Sequence, residues 1–110
     1  MGAYVTHAGS PGTDFSVNKP TLPPVGYTKI ASVPARETRN QVAVQNQSTD
    51  TVLLVRSDGL GGNETLIVLS GAATAGAQGA DWSSTTFKGQ LDVYVPTANA
   101  GTDQVAIYVD

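Results

Sequence analysis

The sequence predicts an all-β fold: a small antiparallel β-sandwich, or jelly-roll-like barrel, preceded by an extended N-terminal arm rich in Pro and Gly. Three observations carry this. Apolar residues recur in short alternating or continuous runs broken by turn clusters, with no helical period. The composition, 12 Gly and 6 Pro with 14% charged and 40% hydrophobic residues in a chain of 110, suits short strands and many turns. Five of the six prolines, Pro11, Pro20, Pro23, Pro24 and Pro34, fall in the first third. There a fixed φ and a missing N–H prevent both helix propagation and a place in the middle of a sheet. The length allows one domain, divided here into an arm over residues 1–35 and a body over residues 36–110.

Stretched out, about 30 residues at roughly 3.1 to 3.3 Å each reach about 90 Å, so the arm can touch more than one neighbour. Alone it buries too little apolar surface to offset its ordering entropy. Its spaced apolar groups, Tyr4, Val5, Phe15, Val17, Leu22, Val25, Tyr27 and Ile30, are anchors for a partner surface. The alternative is that the arm folds back over its own body.

In the body, residues 38–46 alternate, with Val42 and Val44 on one face and Gln41 and Gln45 on the other, as a half-buried strand does. A turn cluster, 47–50, leads to 51–56, whose apolar run has no polar side. Residues 57–63 read as a glycine-rich loop and 65–70 as a second continuous apolar strand; both apolar strands are expected to be covered on two faces. Residues 71–81 read as a loop, followed by Trp82 at the body's edge and a weak strand over 83–87. Strands over 90–95 and 104–109 form the clearest pair. With Val95 opposite Val105, Val93 meets Ile107 and Leu91 meets Val109 on one face, while Tyr94 meets Ala106 and Asp92 meets Tyr108 on the other. A body this small buries only roughly 60% of its unfolded surface. With no disulfide to supplement it, association is expected, and Trp82, Tyr94 and Tyr108 are the candidate oligomer-interface residues.

The chemistry available is narrow. Without Cys there are no disulfides, thiolate metal sites or cysteine nucleophile, and no cofactor is expected. His7, the one imidazole, sits in the arm, a poor support for a base that must be held rigidly against a nucleophile. Most acids, Asp50, Asp58, Glu64, Asp81, Asp103 and Asp110, lie in turns or at strand ends and read as solvated rather than as an acid–base pair. The loop 57–63 lacks both the lysine and the helix of a phosphate cradle. No enzyme is expected.

Charge divides unevenly: residues 1–56 carry five cations against three acids, a net +2, and residues 57–110 carry one cation against six acids, a net −5. Five cations spread over half the chain are thin material for displacing counterions, so direct nucleic-acid binding is not expected. The start, residues 1–12, has neither a basic nor an apolar leader region, and no apolar run approaches the roughly 18 residues of a membrane span. Neither secretion nor a membrane partner is expected.

Residues 39–46, 51–55, the glycine-rich loop, 65–69 and 87–95 together resemble the small β-sandwich structural proteins of tailed-bacteriophage virions, and among these are most similar to head decoration, or cement, proteins. The resemblance spans roughly residues 36–110 and is a pattern of strands and turns. It implies a non-enzymatic protein on the outer capsid surface of the virion. Such a protein is often a homotrimer, and it bridges neighbouring major capsid protein subunits. The arm would then lie along the capsid or under an adjacent copy. Contact roles follow for Tyr4, Phe15, Leu22 and Tyr27, for Lys19 and Lys29 against acidic capsid surface, and for Arg36 and Arg39. The long, alanine-rich segment 71–81 departs from the tight turn of that pattern. The alternatives are a tail, baseplate or neck adaptor built on the same sandwich, and a glycan-binding module stacking sugars on Trp82, Phe87, Tyr94 and Tyr108.

Overall fold

The computed structural model describes residues 24–57 and 64–110. It begins with a tight turn in which the Tyr27 N–H donates to Pro24 O over 3.1 Å, with Gly26 at φ 82° in its third position. That is a type II turn, whose positive φ favours glycine. It launches β1 (Tyr27–Val33), followed by β2 (Val42–Asn46), β3 (Val52–Ser57), β4 (Glu64–Leu69), β5 (Asp81–Ser84), β6 (Gln90–Pro96), a single 3-10 turn (Thr97–Asn99) and β7 (Val105–Val109). The strands form two antiparallel sheets, one of four strands in the order β1-β6-β3-β4 and one of three in the order β5-β2-β7. The fold is all-β and compatible with a small sandwich.

The boundary expected between 35 and 36 lies earlier. β1 pairs with β6 from Tyr27↔Pro96 to Val33↔Leu91, with a bulge between Lys29 and Ala31. The stretch is free of proline, Pro24 and Pro34 flank it, and it occupies a sheet edge, where flanking prolines cost no ladder bond. Residues 1–23, with Tyr4, His7, Phe15, Lys19 and Leu22, lie outside the described residues.

The expected pairing of the last two strands is also replaced. β6 is central, bonded to β1 and β3, while β7 pairs with β2. The 3-10 turn and the bond from Asp103 N–H to Asn99 O (2.9 Å) carry the chain from one sheet to the other instead of closing a hairpin. Alternation decides which side chains face inward, and that part holds: Leu91, Val93 and Val95 are all completely buried. Parity does not decide which strand lies alongside.

The core is aliphatic: Val33, Val42, Val44, Val52, Leu54, Leu69, Leu91, Val93 and Val95, with Ala31, Ile67, Trp82, Phe87 and Val105 packed against it. Full burial of each Val or Leu stabilises by about 1.5–3 kcal/mol. β-branched residues dominate because a pleated surface accommodates their restricted χ1.

Two buried polar side chains tie the irregular segments to this core. Asn46, completely buried at the end of β2, donates through Nδ2 to Asp50 O (2.7 Å), Leu69 O (3.0 Å) and Ser70 O (3.2 Å), and accepts from the Ser48 N–H and hydroxyl through Oδ1. Arg39, 2% exposed, donates to Pro34 O (2.5 Å), Phe87 O (3.0 Å) and Gly89 O (3.1 and 3.2 Å). Gly89 must be glycine, since a Cβ there would run into Ser57 O.

Candidate functional site

Cross-strand register assigns each side chain to a face. On the four-stranded sheet, Leu53 lies opposite Tyr94 and Val68, and Val55 opposite Asp92 and Leu66; all point away from the core, whose residues are the alternate ones, Val52, Leu54 and Val93. The outer face therefore carries an apolar patch, Tyr94, Leu53, Val55, Leu66 and Val68, across three adjacent strands, with Asp92 beside it. Tyr94 and Val55 are buried within it, Leu53 is half-buried, and Leu66 and Val68 are 40% and 58% exposed. The apolar strands over 51–56 and 65–70, expected to be covered on both sides, thus have an open outer face at β4. Ile30, in the β1 bulge, and Val25, in the entry turn, add further exposed apolar surface on the flank where residues 1–23 join. Polar groups rim this face: Ser32 donates to Asp92 Oδ1 over 2.6 Å, with Gln90 Nε2 on the same carboxylate.

The expected contact residues fall in different places. Lys29 is exposed beside Tyr94 on the outer face, Tyr27 is half-buried at the start of β1, and Arg36 is exposed. Arg39, expected at a partner surface, is instead consumed inside, because three carbonyls from two loops converge where its guanidinium alone can satisfy them. Burial, with the charge of Arg36, pulls its pKa below the ordinary value.

Nor do the aromatics share a surface. Trp82 and Phe87 meet edge to face at 6.0 Å, with the Arg56 guanidinium 5.9 Å and 4.9 Å from their ring centroids. Tyr94, expected to point outward at an oligomer interface, is only 5% exposed, on the outer face of the four-stranded sheet. Tyr108, expected at the same interface, is 55% exposed, opposite Ala43 on the outer face of the other sheet. A flat stacking platform for sugars needs these rings side by side, and the sandwich sets Tyr94 and Tyr108 on opposite sides.

One acid departs from the solvated reading. Asp103 lines a cleft of 520 Å³ with Asp50, Ser48 and Asn99, and its Oδ2 is buried without a partner among the described residues. Burial, then a hydrogen bond to Asp50 and the charge of that carboxylate, push Asp103 up to about 6. The Asn99 side chain donates to Asp50 Oδ2 over 2.8 Å, holding Asp50 as the acceptor. Because the folded state favours protonated Asp103, its contribution to stability is full below the ordinary carboxylate pKa and is lost as pH rises through about 6. Asp103→Asn should therefore be more stable than the parent above pH 6, by about 1–2 kcal/mol after solvent screening at this half-buried site. Its melting temperature should also vary less across that window, which a thermal melt series in pH would show. Among the described residues no group of three or more metal-ligating side chains converges, and no helix is long and apolar enough to cross a membrane.

No protein-family model, curated protein or solved structure matches the chain.

The outer face at β4 is the surface that reading for chemistry missed. Its signal was present: an apolar run in a strand with only one neighbouring sheet leaves alternate side chains uncovered.

Proposed function

We propose that this chain is a non-enzymatic structural protein of a virion, which coats the outer capsid surface and stabilises it by bridging neighbouring major capsid protein subunits. The observation that supports this reading is the apolar outer face of the four-stranded sheet, open at Leu66 and Val68 and continuous with Leu53. A sandwich with one such face is suited to docking flat on a protein surface. Residues 1–23, joined on the β1 side of the same sheet, extend the contact through Tyr4, Phe15, Lys19 and Leu22. Lys29 stands on that face to meet acidic capsid groups. Many copies around a shell act at high effective concentration, so modest contacts per copy yield firm attachment.

The test is cosedimentation of the purified protein with capsids lacking it. Leu66→Glu and Val68→Glu alter exposed side chains, so the fold should survive, as circular dichroism would verify. A desolvated carboxylate at the docked face costs about 2 kcal/mol or more, so each substitution should weaken capsid binding at least tenfold. Unchanged binding by a folded double variant would overturn the reading.

A further inference from the structure

β7 is an edge strand: in the order β5-β2-β7 it has a neighbour on one side only among the described residues. Most edge strands are blunted by charge, proline, a bulge or shortness. β7 has none of the first three. Its five residues, Val105, Ala106, Ile107, Tyr108 and Val109, are uncharged, and its register with β2 runs without a shift from Val42↔Val109 to Asn46↔Val105.

The direction of its free backbone groups follows from the bonds beside it. Gln41 and Asp110 exchange both N–H···O bonds, at 3.0 and 3.3 Å, and the Gln47 N–H donates to Gln104 O at 3.0 Å. In an antiparallel ladder such pairs alternate. Ala106 and Tyr108 therefore turn their N–H and C=O toward β2, while Val105, Ile107 and Val109 turn theirs to the open edge.

The side chains on that edge are also incompletely covered. Ile107 and Val109 lie opposite Val44 and Val42, on the core-facing side of the sheet, yet they are 36% and 45% exposed where Val44 and Val42 are at most 1%. The three-stranded sheet is one strand narrower than its partner, and the shortfall is felt beside β7.

We propose that this edge is an interface for a second copy of the chain, formed by antiparallel pairing of β7 with β7 about a two-fold axis through Ile107. The register is self-complementary. Ile107 meets Ile107 of the other copy and Val105 meets Val109, each as a hydrogen-bonded pair, so all three edge-facing N–H groups and all three C=O groups of both copies find partners. Ala106 meets Tyr108 on the outer face, and Asp110 meets Gln104, so no like charges stand directly opposite. The two three-stranded sheets become one of six strands, and Ile107 and Val109 gain neighbours on the side now open. The interface is two-fold, so it makes a dimer and not the trimer that the resemblance implies. It uses neither Leu66 nor Val68 and leaves the proposed capsid-binding face free.

Sedimentation velocity of the full chain from low to high micromolar concentration should show a monomer–dimer equilibrium. Val109→Pro removes one edge-facing N–H and no bond to β2, so it should weaken the dimer at least tenfold while the fold survives, which circular dichroism would establish. Ile107→Lys, placing two ammonium groups together at the axis, should abolish it. The chain has no cysteine, so a variant carrying both Ala106→Cys and Tyr108→Cys should oxidise to a covalent dimer, while each single substitution cross-links far less. A monomer at every concentration, a trimer, or a dimer indifferent to Val109→Pro and cross-linked equally by the single variants would each overturn the proposal. Capsid binding by Val109→Pro should persist, which separates this interface from the docking face.

Discussion

Replacing Arg39 with methionine is expected to destabilise the body by about 3–5 kcal/mol, the range for removing one partner of a buried charged hydrogen-bond network. Methionine fills similar volume, so the loss is polar. The carbonyls of Pro34, Phe87 and Gly89 would be left without donors in a site where Arg39 is 2% exposed, and each unsatisfied buried group costs about 1–3 kcal/mol. The Lys88 ammonium, which donates to Arg39 O, cannot substitute because it is occupied on the backbone of the same segment. Arg39→Lys should recover only part of the loss, since one ammonium cannot span three diverging carbonyls as a planar guanidinium does. Domains of this size have stabilities of about 0.05–0.15 kcal/mol per residue, so a loss of that size removes a large part of the total. Urea titration followed by Trp82 fluorescence reads this directly, and an unfolding free energy in water lowered by less than about 1 kcal/mol would show that water replaces the guanidinium without penalty.

The second large effect lies at the opposite end of the core. Asn46→Ala should cost about 2–4 kcal/mol, because three carbonyls lose their common donor and Ser48 loses its acceptor. Asn46→Asp is the sharper variant. It keeps the shape and the acceptor oxygen but removes Nδ2 and faces a negative charge with the carbonyls of Asp50, Leu69 and Ser70, so at neutral pH it should be less stable than Asn46→Ala. It should recover as the carboxyl is protonated in acid. Paired melts at neutral and acidic pH would test the order; Asn46→Asp equal to the parent at neutral pH would sink the account.

Legibility in the sequence followed locality. The alternation of Val42 and Val44, the two continuous apolar runs, and the inward set Leu91, Val93 and Val95 were readable because each is a period-two pattern within a few residues. The pairing of β6 with β1 and β3 was not, because inward parity is the same for a hairpin within one sheet and for two strands facing each other across a sandwich. β1 was hidden by the prolines on either side of it, which read as an arm although the stretch between them is a good strand. Arg39 shows the same limit at a single side chain: its acceptors Phe87 O and Gly89 O lie 48 and 50 residues away, and nothing near it in the sequence announces them. Of the candidate contact residues, Tyr108 stands exposed as read, whereas Tyr94 is buried by surroundings that only the assembled sheet creates.

The strand order has a further consequence, for synthesis. Of the five ladders, only β3 with β4 joins strands adjacent in sequence; β1 waits for β6, and β2 waits for β5 and β7. Closing such distant segments is entropically costly before any contact rewards it, which places folding in the millisecond-to-second class. While the chain is still emerging from the ribosome, Val33, Val42 and Val44 have no partners to cover them. The polypeptide must stay soluble in that condition until its last strands appear, and its sparing use of large apolar side chains in β1 and β2 suits that interval.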